Sequence, residues 1–156
     1  MRGRIYTVIF SAVAVSAAQD LFELTPASNR PIEIVGIELG QTSDAGDAQD
    51  EQLQFSIIRG HATGGSGGSS PTPAPLSPLD TAAGFTAEAN NTTIASAGTA
   101  VTLHVGAWNV RAGYINWFPE EARPTATSTN TTLVVRQTAP ADAITMSGTL
   151  YVRELA

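Results

Sequence analysis

The chain has 156 residues, 42% of them apolar, with a net charge of −6 and a pI near 4.7. That length suits one domain with a single substantial core, and the acidity argues against a nucleic-acid partner, which needs clustered Lys and Arg. Cysteine is absent, so disulfides, thiolate metal sites and a Cys nucleophile are excluded, and no apolar run approaches the roughly 20 residues of a membrane-spanning helix.

Arg4 to Val15 supports two incompatible readings. As a strand, Tyr6, Val8 and Phe10 share one face at period two. As an export signal, Arg2 and Arg4 precede an apolar run from Ile5 to Ala14, and the small residues Ser16, Ala17 and Ala18 offer a cleavage site. Tyr6, Thr7 and Phe10 among β-branched neighbours favour the strand. The even parity of Tyr6, Val8 and Phe10 gives way to odd at Val13 and Val15, which predicts a β-bulge near Ser11–Ala12. Met146, Gly148, Leu150 and Val152 alternate in the same way, and their strand is the expected partner of the first.

Between these ends, Gln19 to Leu24 is a short apolar piece and Pro26 to Pro31 a turn cluster. Ile32 to Leu39 reads as a strand with Val35, Ile37 and Leu39 on one face. Gly40 to Glu51 reads as a polar loop or at most one helical turn. Leu53, Phe55 and Ile57 define another strand. Residues 60–78 then run through Gly64-Gly-Ser-Gly-Gly68 into Pro71, Pro73, Pro75 and Pro78, first linker-like and then extended. Neither flank has enough strands to stand alone, so this is a long surface excursion within one domain.

Weak strands are expected over 84–89 and 92–95, around a turn at Asn90-Asn91. In 100–105, Val101, Leu103 and Val105 alternate, which puts His104 on the opposite, solvent or interface side. Residues 108–118 carry both tryptophans, with Gly113 as a bend. Thr131 to Arg136 is a strand with Leu133 and Val135 inward, and Ala139 to Ala143 predicts one helical turn. About eight to ten short strands without a useful helix indicate an all-β, single-domain antiparallel sandwich, jelly-roll-like in strand number.

Candidate chemistry is thin. His61 and His104 are the only histidines, and Gly65-Ser66-Gly67 lacks the pattern of a nucleophile elbow. The glycine run lacks the lysine of a phosphate-binding loop. Asp44, Asp47 and Asp50 are the only weak candidates for a hard cation. Asn90, Asn91 and Asn130 fit the Asn-x-Ser/Thr pattern, which matters only for a chain exported in a eukaryote. Trp108, Tyr114, Trp117 and Phe118 offer a stacking platform or an interface anchor, unless the core claims them. No catalytic residue, cofactor or small-molecule substrate is expected. Charged residues make up only 14% of the chain, against roughly 25% in a typical soluble domain. This is the mark of a Thr-rich β surface or of an extensive assembly interface.

The segments Arg4-Ile-Tyr-Thr-Val8, Ser16-Ala-Ala-Gln-Asp-Leu21, Gly98-Thr-Ala with the aromatic stretch after it, and Gly148-Thr-Leu-Tyr-Val-Arg-Glu-Leu155 span most of the chain. Together they resemble a set of small uncharacterised proteins of tailed bacteriophages and prophages. The resemblance implies a virion component assembled in the bacterial cytoplasm, such as a jelly-roll-like decoration protein on the major capsid lattice. It brings no functional residues with it. The partners it implies are the major capsid protein and copies of the chain itself, a trimer among the options. The expected contact elements are Gly64, Gly65, Pro71, Pro73, Pro75 and Leu76 in the excursion, with Trp108 and Trp117. The alternatives are a tail or fibre component and an exported β-sandwich that binds glycans.

Overall fold

Strict alternation builds the interior: along Ile144–Glu154 every second residue is buried, as period-two pleating requires of a strand with one face on a core. The computed structural model describes residues 3–43, 50–128 and 131–155. Their strands are β1 (Arg4–Val15), β2 (Gln19–Thr25), β3 (Ile32–Gln41), β4 (Gln52–Arg59), β5 (Ala74–Pro75) and β6 (Thr86–Asn91). Then follow β7 (Val101–Asn109), β8 (Tyr114–Trp117), β9 (Thr125–Ala126), β10 (Leu133–Gln137) and β11 (Ile144–Glu154). A single 3₁₀ turn at Glu120–Ala122 is the one helical element among the described residues. The eleven strands exceed the expected eight to ten because β5 and β9 are two-residue pieces.

The strands form two antiparallel sheets, ordered β5-β1-β11-β3-β8, with β9 beside β3, and β6-β2-β10-β4-β7. Without the short β5 and β9 and the added β6, β1-β11-β3-β8 faces β2-β10-β4-β7, the strand order of a jelly roll. Tyr6, Phe22, Phe55, Ile37, Leu133 and Leu150 meet between the sheets, each essentially without exposure. Full burial of one such side chain contributes about 1.5–3 kcal/mol.

The two ends of the chain pair as expected, from Arg4↔Glu154 to Val15↔Ile144. The register shifts between Phe10 and Val13. Ala12 there takes a left-handed φ of 53°, and its N–H donates to Ser147 Oγ at 3.0 Å. A second bulge corrects the reading of β3. Gly36 faces Tyr151 and Ile34 faces Val152, so Val35 is the extra residue, and Ile32 and Ile34 join Ile37 and Leu39 in the core. Residues 139–143 form no helical turn, because the Ala141 N–H is held by the Glu51 carboxylate at 2.9 Å. Nor are 92–95 a strand; Thr93 makes an isolated bridge to Ser66.

That bridge belongs to the excursion, which is stitched down along its length. Thr63, Ser66 and Ser69 pair with Ser96, Thr93 and Ala89, covering the outer edge of β6. Ala74 and Pro75 then pair with Thr7 and Tyr6, and Leu76 N–H donates to Ile5 O at 2.9 Å, covering β1. One segment therefore closes one flank of both sheets. Glycine permits this: Gly67 has a φ of 87°, and a Cβ on Gly68 would run into the Ala89 carbonyl. Pro75 sits at a sheet edge, where its missing N–H costs no ladder bond.

Candidate interaction surface

The outer face of the β1-β11-β3-β8 sheet is set by register. One row runs Thr7, Tyr151, Gly36, Trp117, and the next Ile9, Thr149, Glu38, Ile115. Gly36 lets the Trp117 indole lie down on the sheet, since a Cβ there would sit 2.6 Å from ring atom Cε3. The indole packs against Tyr151 with ring centroids 4.6 Å apart and keeps 54% of its surface exposed. Tyr151 Oη donates to Glu38 Oε1 at 3.3 Å. Desolvation first, then the Glu38 charge and this bond, push the phenol pKa up. Ile115 beside Trp117 is 70% exposed and Ile9 across the sheet 58%. A groove of about 320 Å³ opens next to Ile115, lined by Glu38, Gly40, Thr42, Ser147 and Thr149 among others.

The next row, Ile5, Arg153, Glu33, Thr125, is polar. Glu33 Oε1 takes Arg123 at 2.7 Å and Arg153 at 3.1 Å. All eight basic residues of the chain are arginine, and in this row they are tied into ion pairs. An exposed aromatic and aliphatic strip bordered by paired charges is suited to burial against another surface, with Trp117 as the anchor.

The expected contact residues fall into three groups. Trp117 lies on this strip. Trp108 does not: it is 2% exposed, and its indole N–H donates to Gln137 Oε1 at 3.2 Å inside the sandwich. The β7 register points it into the core, so the reading of Trp108 as a contact residue is corrected. The excursion residues are partly used internally. Gly65 N–H donates to Glu23 Oε2 at 2.8 Å, and a Cβ on Gly64 would sit 2.7 Å from Glu23 Oε1. Pro71, Pro73 and Pro75 are half-buried, and Leu76 points out.

Of the cation candidates, Asp44 and Asp47 lie outside the described residues. Asp50 accepts from Asn109 Nδ2 at 2.8 Å and faces Arg111 at 3.7 Å. Among the described residues no three His, Cys, Asp or Glu side chains gather around a common point. Ser66 is exposed, and its backbone pairs with Thr93. Among the described residues no hydrogen bond links it to His61, whose Nδ1 lies 3.4 Å from Ala97 O. Asn90 and Asn91 are buried, and Asn130 lies outside the described residues.

Two features escaped sequence reading. The first is the polar clasp under the excursion. The Asp20 carboxylate is buried and takes Arg136 Nε at 2.6 Å and Ala95 N–H at 2.7 Å. Nearby, Glu23 and Glu88 stand opposite each other across β2 and β6, and Asn91 Nδ2 donates to both, at 3.2 Å and 2.7 Å. Burial, opposed by the Gly65 hydrogen bond and reinforced by Glu88, raises the Glu23 pKa. Acidic residues in a half-apolar strand were the available signal.

The second is His104. His104 pairs with buried Ile57 in the same unbroken register that sets Trp108 against Leu53 and Gly106 against Phe55, so His104 points inward rather than to solvent. Its ring packs edge-on against Phe118 at 5.0 Å and tilted against Phe55 at 5.9 Å. Nε2 is buried without a partner among the described residues, and desolvation lowers the imidazole pKa. Val105, expected to face away from His104, does so and is exposed, whereas the register shift at Leu103 sets the exposed Val101 opposite Arg59.

No family model matches the chain, and no curated protein matches it. Among solved structures, a chain of the infectious bursal disease virus particle aligns over 100% of this chain at 14% identity and a TM-score of 0.26. A chain of the subviral particle of the same virus aligns over 97% at 13% identity and a TM-score of 0.17. This chain spans about 40% of the length of each.

Proposed function

We propose that the chain is a non-enzymatic structural protein of a tailed-phage virion, a decoration protein that stabilises the capsid by binding the major capsid lattice. The observation that carries this reading is the exposed Trp117–Ile115 strip on the outer face of the β1-β11-β3-β8 sheet. A sandwich whose interior is filled by side chains has its value at its surface, and jelly rolls recur in viral coats, although fold alone does not assign function. The low charge of the whole chain and the resemblance of segments along most of its length to phage proteins point the same way. Attachment through the tail or a fibre would use the same strip.

The test is co-sedimentation of purified protein with particles of its source that lack it. Trp117→Ala should reduce binding by about thirtyfold, corresponding to a hot-spot loss of roughly 2 kcal/mol, while the thermal midpoint moves little. Binding that survives Trp117→Ala and Ile115→Ser together sinks the strip as the contact, and a chain that never binds such particles sinks the role. A glycan-binding module is the second reading. It is favoured by the exposed indole beside Glu38 and the groove, and it predicts binding to isolated cell-surface polysaccharide instead.

A further inference from the structure

The flank opposite the excursion carries the second surface. β7 is a nine-residue edge strand. Over 101–108, its backbone bonds among the described residues go to β4 alone. The other edges are covered or short: β6 and β1 lie under the excursion, while β8 has four residues and β9 two. Natural edge strands are blunted by charge, proline, brevity or a bulge. Val-Thr-Leu-His-Val-Gly-Ala-Trp-Asn has none of the first three, and its one register shift, at Leu103, leaves residues 104–109 in unbroken register. Val101 is 48% exposed and Val105 54%. The adjoining outward residues of β4, Gln52, Gln54 and Ser56, are also uncharged.

We infer that β7 pairs with β7 of a second copy, antiparallel about a two-fold axis at Val105, joining two five-stranded sheets into one. Two-fold pairing sets Val105 against Val105 and Leu103 against Ala107 of the other copy, with no like charges in the seam. It also sets the Val101 end of one copy, where Arg59 stands one strand in, toward the partner's Asn109 end. Asn109 is bonded to Asp50, and Glu51 follows in the chain, so a cation meets an end with two carboxylates and one arginine, Arg111. Main-chain pairing supplies affinity in such strand addition, and the alternate side chains supply register. The inference rests on the structural role proposed above for its biological sense, but it uses a different surface from the Trp117 strip.

The chain has no cysteine, which makes the test clean. Full-length Val105→Cys protein, mildly oxidised, should form a covalent dimer rapidly, since opposed strand residues approach within disulfide range. Ile9→Cys, exposed on the other sheet, should not. In sedimentation velocity the unmodified chain should pass from monomer to dimer as concentration rises, and Val105→Lys should weaken that step about tenfold or more. Should Val105→Lys fail to fold by circular dichroism, Thr102→Lys takes its place. A monomer at every concentration, a trimer, or equal crosslinking at positions 9 and 105 overturns the inference. Particle binding lost with Trp117→Ala but kept with Val105→Lys would leave the functional reading standing without it.

Discussion

The two flanks of the sandwich are finished in opposite ways. On one, residues 63–76 run along β6 and then β1, so both sheet edges are satisfied by the chain itself. On the other, β7 ends its sheet with exposed valines and, among the described residues, no backbone partner beyond β4 over 101–108. Gly/Ser/Pro composition suggested a surface excursion carrying the contact residues, yet that is the flank closed from within. The strand whose alternation looked ordinary is the one left open. Flexible composition describes what a segment can do when unfolded; hydrogen-bond partners decide what it does in the fold.

The closed flank breaks most readily at its clasp. Asp20→Ala leaves Arg136 with only the Ala95 carbonyl and strips the Ala95 N–H of its acceptor. Orphaning a buried ion-pair partner costs about 3–5 kcal/mol, and urea unfolding should show a loss of that size. A loss below about 1 kcal/mol would mean that the clasp does not hold the excursion down.

The open flank responds more weakly, and to pH. The His104 pKa is lowered in the folded chain, so the unfolded chain takes up the proton first. The stability present above the ordinary value near 6.5 is therefore lost as pH falls from there toward the lowered one. His104→Phe keeps a flat ring between Phe55 and Phe118 and should stay within about 1.5 kcal/mol of the parent at pH 7.5. It should lose less stability than the parent between pH 7 and pH 5. Parallel pH profiles for the two proteins would show that His104 does not carry the effect.

Much of the architecture was legible because it rests on period-two alternation. The bulge at Ala12 follows from Tyr6-Val8-Phe10 changing parity before Val13, and the pairing of β1 with β11 was expected from their similar alternation and length. A bulge defeated the same logic in β3, where the extra residue Val35 brings Ile32 and Ile34 to the core face. In β7 the alternating valines looked like the inward set, but the register of Trp108, Gly106 and His104 takes the core instead. The contact surface was half legible. Parity separated Trp117 and Ile115 from Tyr114 and Phe118, but could not say which pair faced outward. Trp108 could not be placed without knowing that Gln137 waits inside. The Asp20 and Glu23 contacts join residues up to 116 apart, and no local pattern encodes such pairs.

Hydrogen–deuterium exchange on the chain, free at low concentration and again on its particles, tests the contrast between the flanks most directly. Amides of residues 63, 66, 69 and 76 should be protected in both states, and those amides of 102–107 that do not point to β4 should gain protection only on assembly. Protection of 63–76 that appears only on the particle, with 102–107 unchanged, would contradict the account.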